Sequence, residues 1–69
     1  MEAIKQARKA ANLTQSQLAE KLGVSQAAVA QWENGLTHPS YSILRPLANV
    51  LNIPVDDLIE EVTDEAVNA

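Results

Sequence analysis

Sixty-nine residues without a single cysteine make one domain at most and exclude a disulfide framework or a thiolate metal site. A chain this short buries only about 60–65% of the surface its unfolded form exposes, which sets its stability on the order of a few kcal/mol. The formal net charge of −4 argues at first sight against a nucleic-acid partner, so the placement of the charges decides what that number means.

Apolar residues recur at helical spacing throughout and no stretch alternates with period two for long, which predicts an all-α chain of five helices. The first covers residues 2–11, with Ile4, Ala7 and Ala11 as its apolar stripe. Lys5, Arg8 and Lys9 lie on other faces. Asn12 tolerates left-handed backbone and acts as a stop signal. The second helix covers 15–22, with Thr14 as N-cap and Gln17 completing a capping box. Leu18, Ala19 and Leu22 face inward, and Gly23 ends the helix where φ must be positive. The third covers 26–33 behind the N-cap Ser25. Val29 and Trp32 point to the core, and Asn34-Gly35 closes it. Residues 36–40 form a loop closed by Pro39. The fourth helix covers 43–51, with Leu44, Leu47, Ala48 and Leu51 on its apolar face. A proline in a helix interior loses one hydrogen bond and clashes with the preceding turn. The regular helix is therefore expected to start near Leu44, so that Pro46 falls in its first turn. Asn52 is a second stop signal. The fifth helix covers 55–62, with Leu58, Ile59 and Val62 apolar and Asp56 and Asp57 near its positive end. The domain is expected to span 1–62, with 63–69 an acidic, frayed tail.

Charge is divided along this frame. Residues 1–22 carry Lys5, Arg8, Lys9 and Lys21 against Glu2 and Glu20, a balance of +2. Residues 23–53 balance Arg45 against Glu33. Residues 54–69 carry Asp56, Asp57, Glu60, Glu61, Asp64 and Glu65, a balance of −6. The acidity is a C-terminal property, and local field matters more than total charge for docking on phosphate. No apolar run approaches the roughly 18–20 residues of a membrane span, and the N-terminus lacks the layout of a signal peptide. The expected location is the cytoplasm. One histidine, no cysteine and no Gly-rich phosphate loop argue against an enzyme. No His or Cys accompanies the C-terminal carboxylates to make a transition-metal site, and they lack the spacing of a calcium loop. No metal, cofactor or small-molecule ligand is expected.

The informative stretch is QSQLAEKLGVSQAAVAQWENG, residues 15–35: two short helices joined by a Gly-Val-Ser turn. Val24 is an apolar plug in that turn. The third helix leaves Gln26, Ala27, Ala30 and Gln31 exposed, and this set suits base reading. A glutamine amide donates and accepts at once, so it can bind adenine N6 and N7 in the major groove, and an alanine methyl can pack on a thymine methyl. Helix N-termini suit phosphate contact, which places Thr14, Gln15 and Ser25 as backbone contacts. Capping alone also explains Thr14, and helix termination alone explains Asn34.

LTQSQLAEKLGVS, the WENG closing the third helix, the Pro39 loop and LANVLNIPVDDLI together resemble the phage repressor and Cro family, a five-helix λ-repressor-like fold with a helix-turn-helix. The resemblance covers about residues 4–59. It implies a transcriptional regulator, a repressor by preference, with the helix around residues 25–34 in the major groove of double-stranded DNA. It implies base contacts from Gln26, Ala27 and Gln31. Phosphate contacts are implied for Gln15 and Asn34, with Gln15 also buttressing the first base reader. Arg8 and Glu33 match positions that form a buried ion pair in some members. A homodimer on a pseudo-palindromic operator is implied too, with recognition helices about 34 Å apart. Leu36 and His38 stand where the family often carries basic residues, so fewer phosphate contacts are expected. That departure and the acidic tail motivate a second reading, a protein-interaction module on the same fold (antitoxin-like or adaptor). Leu36, Tyr41, Ile43, Ile53 and Val55 exceed what one small core needs, and part of that set is expected to line a dimer interface.

Overall fold

A computed structural model of the chain describes residues 1–59. Val62, the 62/63 domain boundary and the acidic tail lie outside them. Among the described residues there are five helical segments and no strand.

Helix α1 spans Glu2–Ala10, one residue shorter than the sequence pattern suggested. Asn12 turns the chain at φ 60°, and Leu13 N–H bonds the Arg8 carbonyl at 3.1 Å. Ala11 is thereby carried past the last regular turn and is exposed, not part of the buried stripe. Met1 takes a place in the core beside Ile4.

Helix α2, Gln15–Leu22, starts on a complete capping box. Thr14 Oγ1 accepts from Gln17 N–H at 3.0 Å, and Gln17 Oε1 accepts from Thr14 N–H at 2.8 Å. These two bonds satisfy donors that the helix itself leaves unpaired. Thr14→Ala is expected to cost about 1 kcal/mol. An unchanged urea midpoint would show that the box contributes nothing. Gly23 ends α2 at φ 73°, and nothing lies within 4 Å of where its Cβ would sit. Its requirement is therefore backbone conformation and not space.

Helix α3, Gln26–Glu33, begins at Ser25, whose Oγ accepts from Ala28 N–H at 3.1 Å. Asn34 keeps right-handed geometry at φ −86°, and Gly35 makes the left-handed turn at φ 77°. Of the pair expected to stop the helix, the glycine supplies the turn.

Helix α4 spans Tyr41–Leu51 with Pro46 inside it, which corrects the late start read from the sequence. Ile43 and Leu44 N–H groups both bond the Ser40 carbonyl, at 2.9 and 3.1 Å, so the first turn is closed well before the proline. The bond that Pro46 cannot make would go to the Ser42 carbonyl. Ser42 is exposed, and a carbonyl near solvent costs far less to leave without a helix partner than a buried one. Burial of Leu44, Leu47, Ala48 and Leu51 holds the helix despite the missing bond. Asn52 ends it at φ 58°, and the chain is helical again over residues 55–59, here α5.

The core gathers Ile4 from α1, Leu18 from α2, Val29 from α3, Leu44 and Leu47 from α4 and Leu58 from α5, all fully buried. Pro39 in the α3–α4 loop is buried as well. Ala19 is 3% exposed and lies on α2, which packs most extensively against α3. A larger side chain there would overpack the core around α2. Val24 and Leu22 are only half-buried, so the turn's plug is looser than its sequence suggests. None of the described helices is long and apolar enough to cross a membrane.

Candidate nucleic-acid interface

The tight Gly23 turn brings the first residue of α2 against the first residue of α3. Gln26 Nε2 donates to Gln15 Oε1 at 2.7 Å, so the two helix N-termini lie side by side. Gln26 is exposed, and Ala27 and Gln31 share that exposure on α3, while Ala30 is half-buried. Val29 and Trp32, on the opposite face of the same helix, are buried. One eight-residue helix thus divides cleanly into a core face and a face of short or amide side chains. Thr14 and Ser25 are exposed at the N-caps of α2 and α3, and Asn34 is exposed at the C-cap of α3.

Beneath the glutamines sits an ion pair. Arg8 Nε donates to Glu33 Oε2 at 2.6 Å and Arg8 Nη2 to Glu33 Oε1 at 3.1 Å. This fork geometry is the strong form of a carboxylate–guanidinium contact. Arg8 Nη1 also donates to the Leu13 carbonyl at 2.7 Å. The side chains are 12% and 2% exposed. Burial pushes the Glu33 carboxyl up, but hydrogen bonds from Arg8 and Gln15 and the charges of Arg8 and Lys5 outweigh it. Its pKa therefore lies below the ordinary 4.5. The hydrogen bond to Glu33, aided by its charge, outweighs burial and holds Arg8 above the usual guanidinium value.

Sequence reading did not find one link. Gln15 Nε2 donates to Glu33 Oε1 at 3.1 Å, which joins the ion pair to the two glutamines as a single chain, Arg8–Glu33–Gln15–Gln26. A contact across eighteen residues leaves no trace in helical periodicity. The N-terminal amino group, likewise unsignalled, donates to the Trp32 carbonyl and, at 3.4 Å, to the Glu33 carbonyl. These bonds tie the start of the chain to the C-terminal end of α3.

Arg8 is spent on Glu33, so the cations left near the first two helices are Lys5, Lys9 and Lys21, with Lys9 and Lys21 exposed. The α3–α4 loop and the start of α4 add an apolar surface. Leu36 in the loop is 73% exposed and Tyr41, the first residue of α4, 65%, whereas Ile43, Ile53 and Val55 are half-buried and packed against the core.

The chain is similar in sequence and fold to known proteins. The chain is 42% identical over 60 residues to the immunity repressor protein of Bacillus phage phi105, covering 87% of this chain and 42% of that one. It is 38% identical over 58 residues to the HTH-type transcriptional activator BcrR of Enterococcus faecalis, covering 84% and 28%. It is 37% identical over 59 residues to the CTXphi transcriptional repressor RstR of Vibrio cholerae, covering 84% and 53%. The chain spans between 28% and 57% of the length of the curated relatives it matches. Among solved structures, SinR, a master regulator for biofilm formation crystallised in complex with DNA, superposes with a TM-score of 0.76 at 37% identity. That match covers 84% of this chain and 94% of the other. Residues 4–58 match the family described as helix-turn-helix, and the chain belongs to that family, which is of the phage repressor and Cro type.

Proposed function

We propose that this domain is a transcriptional regulator that binds double-stranded DNA sequence-specifically and lays α3 in the major groove. The observation that carries the reading is the exposed Gln26 amide, held at 2.7 Å by Gln15 at the start of a helix whose other face is locked in the core. A base-reading amide needs such support, because a free side chain would lose rotamer entropy on every contact. Gln31 and the Ala27 methyl lie on the same exposed surface and add a second polar reader and a thymine-methyl contact. Gln15 keeps one N–H beyond its bond to Glu33, and that N–H suits a phosphate oxygen. Thr14, Ser25 and Asn34 serve as further backbone contacts.

The mode of action is occupancy, and repression is the favoured outcome. A homodimer forms through the exposed Leu36 and Tyr41 and spans two half-sites about one helical turn apart. The domain runs to about residue 62, in the cytoplasm. No catalytic step is assigned.

Two measurements test this reading. Gln26→Ala is expected to cost about 1–3 kcal/mol at one base position and to relax preference there. An unchanged profile in selection from random duplexes would remove Gln26 as a reader. Few free cations predict a shallow salt dependence, with a slope of log K against log salt of about −3 per half-site. A gel-shift titration with no binding even at low salt would favour the protein-interaction module instead.

A further inference from the structure

We propose that Glu33 is a positioning residue that decides which base Gln26 accepts, by fixing the donor–acceptor polarity of two amides in series. The proposal rests on the reading of Gln26 as a base contact and adds to it the origin of that residue's preference.

An amide side chain is ambiguous until something orients it, since its oxygen accepts and its nitrogen donates through two N–H groups. An ionised carboxylate only accepts. Glu33 is therefore the acceptor-only member of the relay, and the two amides beyond it must adapt to it. Both its oxygens take N–H groups from Arg8, and Oε1 takes a further one from Gln15 at 3.1 Å. Gln15 must present its nitrogen to Glu33, which turns its oxygen toward α3. Gln26 must then present its nitrogen to Gln15 Oε1, which it does at 2.7 Å. What remains free on Gln26 is one N–H and its Oε1. One donor beside one acceptor matches adenine, whose N7 accepts and whose N6 donates, and mismatches guanine, whose N7 and O6 both accept. The carboxylate, itself buried, thus imposes adenine preference two hydrogen bonds away. Its charge is matched by Arg8, so it need not repel a phosphate near Gln15.

Glu33→Gln reverses the relay. Arg8 has only donors, so the new amide keeps its oxygen on Arg8 Nε, the shorter of the two bonds at 2.6 Å, gives up the 3.1 Å bond from Arg8 Nη2, and leaves its nitrogen at the Oε1 position that faces Gln15. Gln15 then turns its oxygen inward and its nitrogen toward Gln26, and Gln26 offers two N–H groups outward, a guanine-reading pair.

The test is selection from random duplexes, with helix content checked by circular dichroism, for the parent chain and for Gln26→Ala, Gln15→Ala and Glu33→Gln. The parent is expected to favour adenine over guanine at the Gln26 position by about 5- to 150-fold, the range of one bidentate contact. Glu33→Gln is expected to move that ratio toward guanine by at least about fivefold. Gln15→Ala, which leaves the ion pair in place, is expected to flatten the ratio at the same position. If Glu33→Gln weakens all sites equally and keeps adenine, Glu33 is only structural and the proposal is overturned. Retained adenine preference in Gln15→Ala overturns it too, and does so even if Glu33→Gln fails to fold. An unchanged profile in Gln26→Ala overturns the base-contact reading itself, which is a separate and recognisable failure.

Discussion

Arg8→Ala is expected to remove about 3–5 kcal/mol of folding stability, the cost of leaving a buried carboxylate without its cation. At roughly 0.05–0.15 kcal/mol per residue, a chain of 69 residues holds about 3–10 kcal/mol in all, so one substitution takes most of it. Urea denaturation at neutral pH checks the magnitude, and a loss under about 1 kcal/mol would show that Glu33 is effectively hydrated. The sign of the pH dependence gives a second readout. In the parent the folded Glu33 pKa lies below 4.5. Its contribution is thus fully present above the ordinary carboxylate range and is lost as pH falls through the depressed folded value. In Arg8→Ala, burial is opposed only by Gln15 and Lys5, and the folded pKa rises. The variant's folded Glu33 pKa is thus expected to lie above the parent's, so its stability falls less than the parent's on acidification. The gap between parent and variant is expected to narrow from neutral pH toward pH 4.5 and below. A gap that widens on acidification would contradict this account of the pair.

Trp32→Ala is expected to cost about 3–5 kcal/mol, as large aromatic truncations in a packed core do. Trp32 is 6% exposed and belongs to the same helix as the proposed base readers. Gln31→Ala, one residue earlier on the exposed face, is expected to stay within about 0.5 kcal/mol of the parent in stability. The pair separates the two jobs of α3: one substitution acts on folding, the other on DNA binding. Chemical denaturation followed by circular dichroism reads both variants, since the sole tryptophan is lost in the first. Similar stability losses in the two would mean that α3 is not divided into a core face and a reading face.

Local chemistry made most of this fold legible. The Thr14–Gln17 box, the Ser25 cap, the Gly23 turn and the two asparagine stops are each specified within four residues, and each forms. Pro46 lies inside α4, because its penalty competes with burial and not with the helix ladder alone. The buried Leu44, Leu47, Ala48 and Leu51 outweigh one missing bond, and no local rule contains that comparison. Ala11 departs from the pattern for a related reason: the helix ends at Ala10, and Ala11 belongs to the turn that leads into the left-handed Asn12. Met1 is buried in the same cluster as Ile4, which helical spacing within α1 does not signal. At the site, the exposed glutamines could be read from the helical face, and the Arg8–Glu33 pairing entered by resemblance. The Gln15–Glu33 bond could not be read at all, because it depends on the angle at which α2 meets α3. That angle is set by packing at Ala19 and in the turn, and periodicity does not encode it.

The most direct measurement is selection of bound sites from random double-stranded DNA at low salt, where phosphate attraction is greatest. The account predicts enriched, pseudo-palindromic sites with adenine at a fixed position in each half and half-sites about 34 Å apart. Recovery of the input distribution, without enrichment at any position, would contradict it.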